Sequence, residues 1–198
     1  KYSMWLNDTY FIAFTSKLAI ILFSLHLVER EFVINAKISI TPTDDIPLLS
    51  AYAYHDTIIG TDRKGRILII SYGQGSTYFH QISSSPIQKT VISDNTGYAL
   101  CEDHSIYTYQ AASALFKKEN YEVTPTKLEI TGSNLYTVGN YILIYNDETD
   151  TLYYKSKSDQ PFNSIKCPFK FDSLVPSFNS KSIYFISQMQ ISKFTFSN

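Results

Sequence analysis

The sequence is poor in cysteine and has no excess of charge of either sign. Its two cysteines, Cys101 and Cys167, lie far apart and outside any CxxC or Cys/His cluster, which argues against a disulfide framework. Lysine and arginine number 17 against 18 aspartates and glutamates, so the chain lacks a basic field that would attract nucleic acid or anionic lipid. We therefore expect free thiols in a reducing compartment, cytoplasmic or nuclear, and partners other than nucleic acid.

Long uninterrupted apolar runs are also lacking. The one candidate, residues 10–28, carries Lys17 near its middle and His26 near its end. Split at residues 15–17, this stretch becomes two short strands, so we favour a buried hairpin over a transmembrane or signal segment. We expect no membrane partner, although the sequence begins with Lys1 and leaves open a preceding targeting segment.

What the chain does contain is typical of β-strands. Tyrosine (16) and phenylalanine (13) are abundant, and β-branched residues fill most apolar runs. A convincing amphipathic helix is absent, the best candidate being residues 110–120. We predict an all-β fold in a single domain spanning residues 1–198, which is long enough to bury its own core.

Short β-like runs end at regularly spaced prolines. Pro42, Pro86, Pro125 and Pro168 stand 44, 39 and 43 residues apart, which is typical of a propeller blade or a solenoid unit. After Pro86 the runs "IQKTVIS", "GYALCE", "SIYTYQ" and "NYEVT" make four strands in one period, the last of them closing the unit before Pro125. Four antiparallel strands per period of this length are typical of a β-propeller blade.

A hairpin with a polar turn recurs five times. Its copies are "AFTSKLAIILFSL", "GTDRKGRILIIS", "CEDHSIYTYQ", "NDETDTLYYKS" and "SQMQISKFTFS". In the fourth copy, either "YILIYN" or "TLYYKS" fits the third strand. We predict a β-propeller of about five four-stranded antiparallel blades, or a part of a six- to eight-bladed propeller. The last unit has room for only three strands, and "YSMWL" near the N-terminus is a candidate for the fourth.

The best-preserved copy, "YHDTIIGTDRKGRILIISYGQG" (residues 54–75), resembles one repeat of the regulator-of-chromosome-condensation propellers in its histidine, its "DxxG" turn and its aromatic-Gly-x-Gly ending. The period near 42 residues and the order of the strands resemble WD-type repeats. Both resemblances imply a degenerate propeller that serves as a platform for other macromolecules. The first also implies, as an alternative, nucleotide exchange on a small GTPase.

Chemical motifs are weak. "WLND" (residues 5–8) is similar to the nucleophile motif of five-bladed invertase-like glycosidases, which gives the alternative of a glycoside hydrolase using Asp8. The "RDP" and "EC" motifs that carry that family's partner residues do not occur here. We favour a turn at residues 7–8 and expect no enzymatic activity, no cofactor and no small-molecule substrate.

Other polar clusters also favour structural interpretations. Residues 146–150 ("NDETD") and 102–104 ("EDH") are predicted as solvated turns rather than calcium or zinc sites, and residues 72–76 ("YGQGS") as a turn rather than a phosphate loop. His55 and His80 are predicted as structural histidines. We therefore assign no catalytic and no metal-binding residues.

The basic turn "DRKGR" is the one candidate contact site. It places Arg63, Lys64 and Arg66 within five residues, on a turn that can meet an acidic partner. We predict a non-enzymatic protein-interaction platform, a subunit of a larger assembly, with these three residues in contact with a partner protein.

Overall fold

The computed structural model describes residues 3–5, 10–14, 20–28, 31–40, 48–54, 57–71, 76–111, 122–156 and 161–196. Within these residues the chain forms nineteen β-strands in five antiparallel sheets, which we number as blades 1 to 5 in chain order. The described part contains no helix that is long and apolar enough to cross a membrane. The predicted all-β, blade-based fold is confirmed.

Blades 1, 2 and 3 each have four strands. Blade 1 comprises β1 (Ser3–Trp5), β2 (Tyr10–Phe14), β3 (Ile20–Val28) and β4 (Glu31–Ile40). Blade 2 comprises β5 (Leu48–Tyr54), β6 (Thr57–Asp62), β7 (Arg66–Ser71) and β8 (Ser76–Gln81). Blade 3 comprises β9 (Ile87–Ser93), β10 (Thr96–Cys101), β11 (Ser105–Gln110) and β12 (Thr126–Thr131).

Blade 4 also has four strands, whereas blade 5 has three in the described residues. Blade 4 comprises β13 (Asn134–Val138), β14 (Tyr141–Asn146), β15 (Thr151–Lys155) and β16 (Asn163–Lys166). Blade 5 comprises β17 (Ser173–Pro176), β18 (Ser182–Ile186) and β19 (Ile191–Thr195). In every blade each strand pairs with the next strand along the chain.

The five recurring hairpins of the sequence all join the second strand of a blade to its third. The pairs are β2–β3, β6–β7, β10–β11, β14–β15 and β18–β19. The predicted hairpin within residues 10–28 is therefore confirmed. The ambiguity in the fourth copy is also resolved, because "YILIYN" forms the second strand, β14, and "TLYYKS" contains the third, β15.

Two strand assignments made from the sequence are wrong. The fourth strand of blade 3 is "TKLEIT", which follows Pro125, whereas residues 122–124 of the predicted "NYEVT" strand have no regular structure. Ser3–Trp5 of "YSMWL" pairs with β2 inside blade 1 and does not complete blade 5. Proline lacks a donor for a continuing ladder, but it is tolerated immediately before a strand, and this is where Pro125 stands.

The core lies between consecutive blades, and the central strands contribute to both of their neighbours. Successive side chains of a strand point to opposite faces. In β14, Ile142 and Ile144 therefore pack against blade 3, while Leu143 and Tyr145 pack against blade 5. All four side chains are at most 4% exposed. This double burial explains why the second strands read as continuous apolar runs in the sequence.

Among the described side chains, aromatic rings gather at the interface of blades 4 and 5. Tyr141 stacks on Phe196 with 4.0 Å between ring centroids, and Phe171 lies 4.4 Å from Tyr145 and 5.0 Å from Phe185. Such close ring pairs stabilise an interface beyond the area that they bury. Blade 5 is therefore fixed to blade 4 mainly through aromatic side chains.

Candidate partner-binding face

The hairpin turns between second and third strands are joined to the linkers that connect consecutive blades. Each of the three linkers that the structure describes, between blades 2 and 3, 3 and 4, and 4 and 5, bonds through its backbone to the hairpins of both blades that it connects. In the linker between blades 2 and 3 the bonds are Ile82 N–Gly65 O at 3.0 Å and Glu102 N–Pro86 O at 2.9 Å. Between blades 3 and 4 they are Gly132 N–His104 O at 2.9 Å and Ser133 N–Tyr145 O at 2.7 Å. Between blades 4 and 5 they are Cys167 N–Asp150 O and Asp172 N–Ile186 O, both at 2.8 Å. Four hairpin turns, at residues 63–65, 102–104, 147–150 and 187–190, therefore lie on one side of the blades, which we call the turn face.

Asp62 organises the turn of blade 2. Its carboxylate is 1% exposed and accepts hydrogen bonds from the backbone N–H groups of Lys64 at 2.9 Å and Arg66 at 3.0 Å. Gly65 then adopts φ +74°, and its carbonyl oxygen accepts bonds from both Ile82 and Ser83, each at 3.0 Å. The "DxxG" pattern thus encodes a rigid turn fixed to the following linker.

The three predicted contact residues differ in their surroundings. Arg63 and Lys64 are exposed on the turn face. Arg66 is half-buried: its Nε donates to Asp62 Oδ2 at 2.8 Å, and its guanidinium lies 4.4 Å from the centroid of the Phe79 ring. The geometry therefore presents Arg63 and Lys64 to solvent and engages Arg66 in the turn itself.

We expect replacement of Arg66 by alanine to lower the free energy of unfolding by about 2 kcal/mol, because the buried Asp62 carboxylate would lose a charged hydrogen-bond donor. Replacement of the exposed Arg63 by alanine is the matched control, with an expected change within about 0.5 kcal/mol. Urea unfolding followed by circular dichroism measures both. Equal effects of the two substitutions would show that the Asp62–Arg66 pair does not support the turn.

The turns of blades 3 and 4 carry acidic side chains on the same face. Glu102, Asp103 and His104 are exposed, as are Asp147 and Glu148. Both segments are turns, as predicted, and His104 has a positive φ of 65°. The Ser105 hydroxyl donates to Asp103 at 2.5 Å, and this bond lowers the pKa of that carboxyl. The turn face therefore changes from basic at blade 2 to acidic at blades 3 and 4.

The remaining sequence candidates fall into two groups. Asp8, His55 and residues 72–75 lie outside the described residues. His80 lies half-buried on β8, where burial lowers its pKa against the opposing effect of the Glu122 carboxylate. Among the described side chains, no group of three or more His, Cys, Asp or Glu residues is arranged to hold a metal ion.

Both cysteines are free thiols, as predicted. Cys101 is buried, and burial raises its pKa. Burial, with the Asp150 carboxylate, raises the pKa of Cys167 to about 11. Because the thiolate is the reactive form, neither thiol is suited to nucleophilic chemistry near neutral pH.

We expect Cys167 in a Cys101→Ala variant to react with a disulfide reagent at pH 8 about tenfold more slowly in the folded protein than in urea. A pKa raised by two units leaves about a hundredth of the thiolate, and the higher nucleophilicity of a more basic thiolate offsets part of this loss. The folded-state rate should rise as the pH approaches 11. Equal rates in the folded and unfolded protein would contradict the raised pKa.

The sequence interpretation missed exposed apolar side chains on blade 5. The exposed large apolar side chains among the described residues are Val175 (43% exposed), Phe178 (109%), Met189 (93%) and Ile191 (70%), and all four belong to this blade. An apolar residue within a polar hairpin turn, as in "SQMQI", was the available signal. Apolar exposure concentrated on one element often marks an interaction site.

Neither family models nor curated proteins match this sequence. Solved structures do match. The chain superposes on the β-propeller domain of Cps50 (Swd1) from Myceliophteria thermophila with a TM-score of 0.65 at 13% identity, covering 96% of this chain and 67% of that one. A structure of the Mitotic Checkpoint Complex gives a TM-score of 0.69 at 11% identity, and the match covers 98% of this chain and 60% of that chain. BamB from Moraxella catarrhalis gives a TM-score of 0.63 at 10% identity, and the match covers 96% of this chain and 55% of that chain.

The chain thus spans between 55% and 67% of the length of these three structures. Swd1 and the matched checkpoint structure are WD40 propellers, which confirms the prediction of a degenerate, WD-repeat-like propeller at the level of the fold. The single domain over residues 1–198 and the likeness of residues 54–75 to the chromosome-condensation repeat stay predictions. The strand order, the packing of blade on blade and these superpositions together show that the chain has the β-propeller fold.

Proposed function

We propose that the protein is a non-enzymatic interaction platform and a subunit of a larger protein assembly, located in the cytoplasm or nucleus. The observation that carries this proposal is the turn face. Its turns are held by backbone hydrogen bonds to the linkers, and that of blade 2 also by the buried Asp62 carboxylate, while charged side chains at the tips of the turns of blades 2, 3 and 4 remain in solvent. A rigid scaffold that presents exposed loop residues is suited to binding other proteins.

The similar structures support the same proposal. One of them is named as a complex, and the Swd1 structure is named as a propeller domain. Arg63 and Lys64 would contact an acidic surface of the partner, and Arg66 would support that contact by fixing the turn. The adjacent acidic turns at Glu102–Asp103 and Asp147–Glu148 would select for a partner whose surface carries both signs of charge.

The test is charge reversal on the turn face. We expect the tagged protein, purified from its native cell, to retain a stoichiometric protein partner, and the Arg63→Glu/Lys64→Glu variant to lose at least tenfold in affinity for it. A Lys181→Glu/Lys193→Glu variant makes the same change of charge at exposed positions of blade 5 outside the turn face and should keep the partner. A wild-type protein that remains a lone monomer would overturn the proposed function.

A further inference from the structure

The first strands of blades 3 and 4 lie side by side on the inner side of the propeller. In its sheet, each of these strands, β9 and β13, pairs with the second strand along one edge and has no described strand on the other. β9 also contacts β5 of blade 2 and β13 of blade 4. Because the blades of a propeller surround a central channel, the unpaired edges of these first strands face that channel.

Lys89 of β9 contacts Tyr136 of β13 at this inner edge. Lys89 lies on the same face of β9 as Val91, which packs against blade 4. Tyr136 packs against the apolar layer between blades 4 and 5, on the face of β13 that points away from blade 3. The Lys89 ammonium nevertheless lies 5.0 Å from the centroid of the Tyr136 ring. Because β14 occupies the other edge of β13, the lysine reaches this ring around the inner edge.

Both side chains carry hydrogen-bond donors without an acceptor. Among the described residues, neither the Lys89 ammonium nor the Tyr136 hydroxyl has a hydrogen-bond or ion-pair partner. Burial alone lowers the pKa of Lys89 and raises the pKa of Tyr136. A ring face attracts a cation but accepts no directed bond from its three N–H groups. Since both residues are half-buried and not fully enclosed, an acceptor from outside the chain can reach them.

The chemistry and the position of these donors select the ligand. An ammonium and a phenol hydroxyl both donate to an ionised carboxylate, which only accepts. Ile87 begins β9 directly after the linker of the turn face, and Lys89 lies about 7 Å further along the strand. A side chain of a protein bound to the turn face spans that distance. The exposed Arg63 and Lys64 on the turn of blade 2 favour the same acidic partner.

We infer that the Lys89 ammonium and the Tyr136 hydroxyl form a carboxylate-binding site at the inner edge of blades 3 and 4, which receives an aspartate or glutamate side chain of the partner protein. This inference rests on the proposed function and specifies how the partner is recognised. The carboxylate accepts a charged hydrogen bond from Lys89 and a neutral one from Tyr136. Its negative charge also compensates the ammonium, whose charged form is disfavoured by burial.

The first experiment uses the blocked peptide acetyl-Gly-Glu-Gly-amide as the probe, because its side chain carries its only carboxylate. Nuclear magnetic resonance follows the ε-methylene signal of Lys89, which is assigned by its loss in a Lys89→Met variant. We expect the peptide to shift this signal and to raise the pKa of Lys89, since a nearby carboxylate favours the ammonium. The matched peptide acetyl-Gly-Gln-Gly-amide should do neither. A Lys89 signal that does not respond to the glutamate peptide would overturn the site.

Lys193 supplies the internal control in the same spectra. Its ammonium lies 5.9 Å from the centroid of the Tyr184 ring, so it belongs to a pair of the same kind, but it is exposed. The glutamate peptide should leave the Lys193 signal in place. Equal shifts at Lys89 and Lys193 would show unspecific pairing of charges and would also overturn the site.

The second experiment distinguishes a side chain of the native partner from a free carboxylate. Lys89→Met removes the charge but keeps an unbranched apolar stem, and Tyr136→Phe removes only the hydroxyl. We expect Lys89→Met to weaken partner binding by about tenfold or more and Tyr136→Phe by about threefold. The control variants Lys193→Met and Tyr184→Phe should bind as the wild type does. Urea unfolding verifies that all four variants are folded.

The outcomes separate this site from the platform. A partner that binds Lys89→Met as tightly as the wild type would overturn the inference and leave the platform intact. A Lys89 signal shifted by acetate would in that case identify a free carboxylate as the ligand. A protein without any partner would overturn the platform, and the peptide titration would still decide whether the site binds a carboxylate.

Discussion

Replacement of Phe185 by alanine is expected to lower the free energy of unfolding by about 4 kcal/mol. Its side chain is 1% exposed and belongs to the apolar layer between blades 4 and 5, where its ring lies 5.0 Å from that of Phe171. Removal of the ring leaves a cavity that a layer of packed aromatic side chains fills only partly. Urea unfolding followed by circular dichroism gives the midpoint and the slope from which the loss is calculated.

Phe178 supplies the matched control within the same blade. Its side chain is fully exposed, so the same Phe→Ala change should alter the free energy of unfolding by no more than about 0.5 kcal/mol. The fluorescence of Trp5, the one tryptophan of the chain, gives a second measure of unfolding; this residue lies on β1 in blade 1. A loss below about 1 kcal/mol in Phe185→Ala would contradict the packing of blade 5 on blade 4.

Replacement of Gly65 by alanine is expected to lower the free energy of unfolding by about 3 kcal/mol. Gly65 has φ +74°, a conformation that side chains rarely adopt, and a Cβ there would overlap the carbonyl oxygen of Ser83. Because that oxygen belongs to the backbone of the linker, relief of the overlap would also disturb the bonds from Ile82 and Ser83 to Gly65. The measurement is again urea unfolding.

Gly139 compares a smaller overlap with the large one at Gly65. It has φ +56°, and the nearest atoms to a Cβ at this position belong to the side chain of Ser180, in a turn of blade 5. The contact is 2.8 Å here, longer than that to the Ser83 oxygen at Gly65, so Gly139→Ala should lower the free energy of unfolding by a smaller amount, about 2 kcal/mol. Equal losses at Gly65 and Gly139 would show that the contact with Ser83 does not hold the turn of blade 2.

The hairpins were predictable from the sequence because their signals are local. A polar turn such as residues 62–66 between two apolar runs specifies a two-stranded unit, whichever blade it joins. The fourth strands were harder to predict because they lie on the outside of the blades. In β12, Leu128 and Ile130 are half-buried and alternate with exposed polar residues, so this strand has a weaker apolar signal than the largely buried second strands β6, β10 and β14.

The candidate site was predictable only in its location. The sequence identified the basic turn of blade 2, but it does not distinguish Arg66 from Arg63, since both are arginines of one short turn. The distinction depends on Asp62 and Phe79, which flank Arg66 in the folded hairpin. The exposed apolar side chains of blade 5 were missed because exposure depends on which face of the folded sheet a residue occupies, and a local sequence pattern does not show this.

The sequence by itself determined the repeat, the hairpins and the all-β character of this protein, because strand alternation and turn chemistry act over a few residues. Only the tertiary structure decided which strand begins and ends each blade and which faces are buried. These properties depend on the neighbouring blade that each sheet meets. A local pattern shows that β1 and β19 are strands but not which strand each one pairs with. The pairing of β1 with β2 and of β19 with β18 in the folded chain assigns each to its blade.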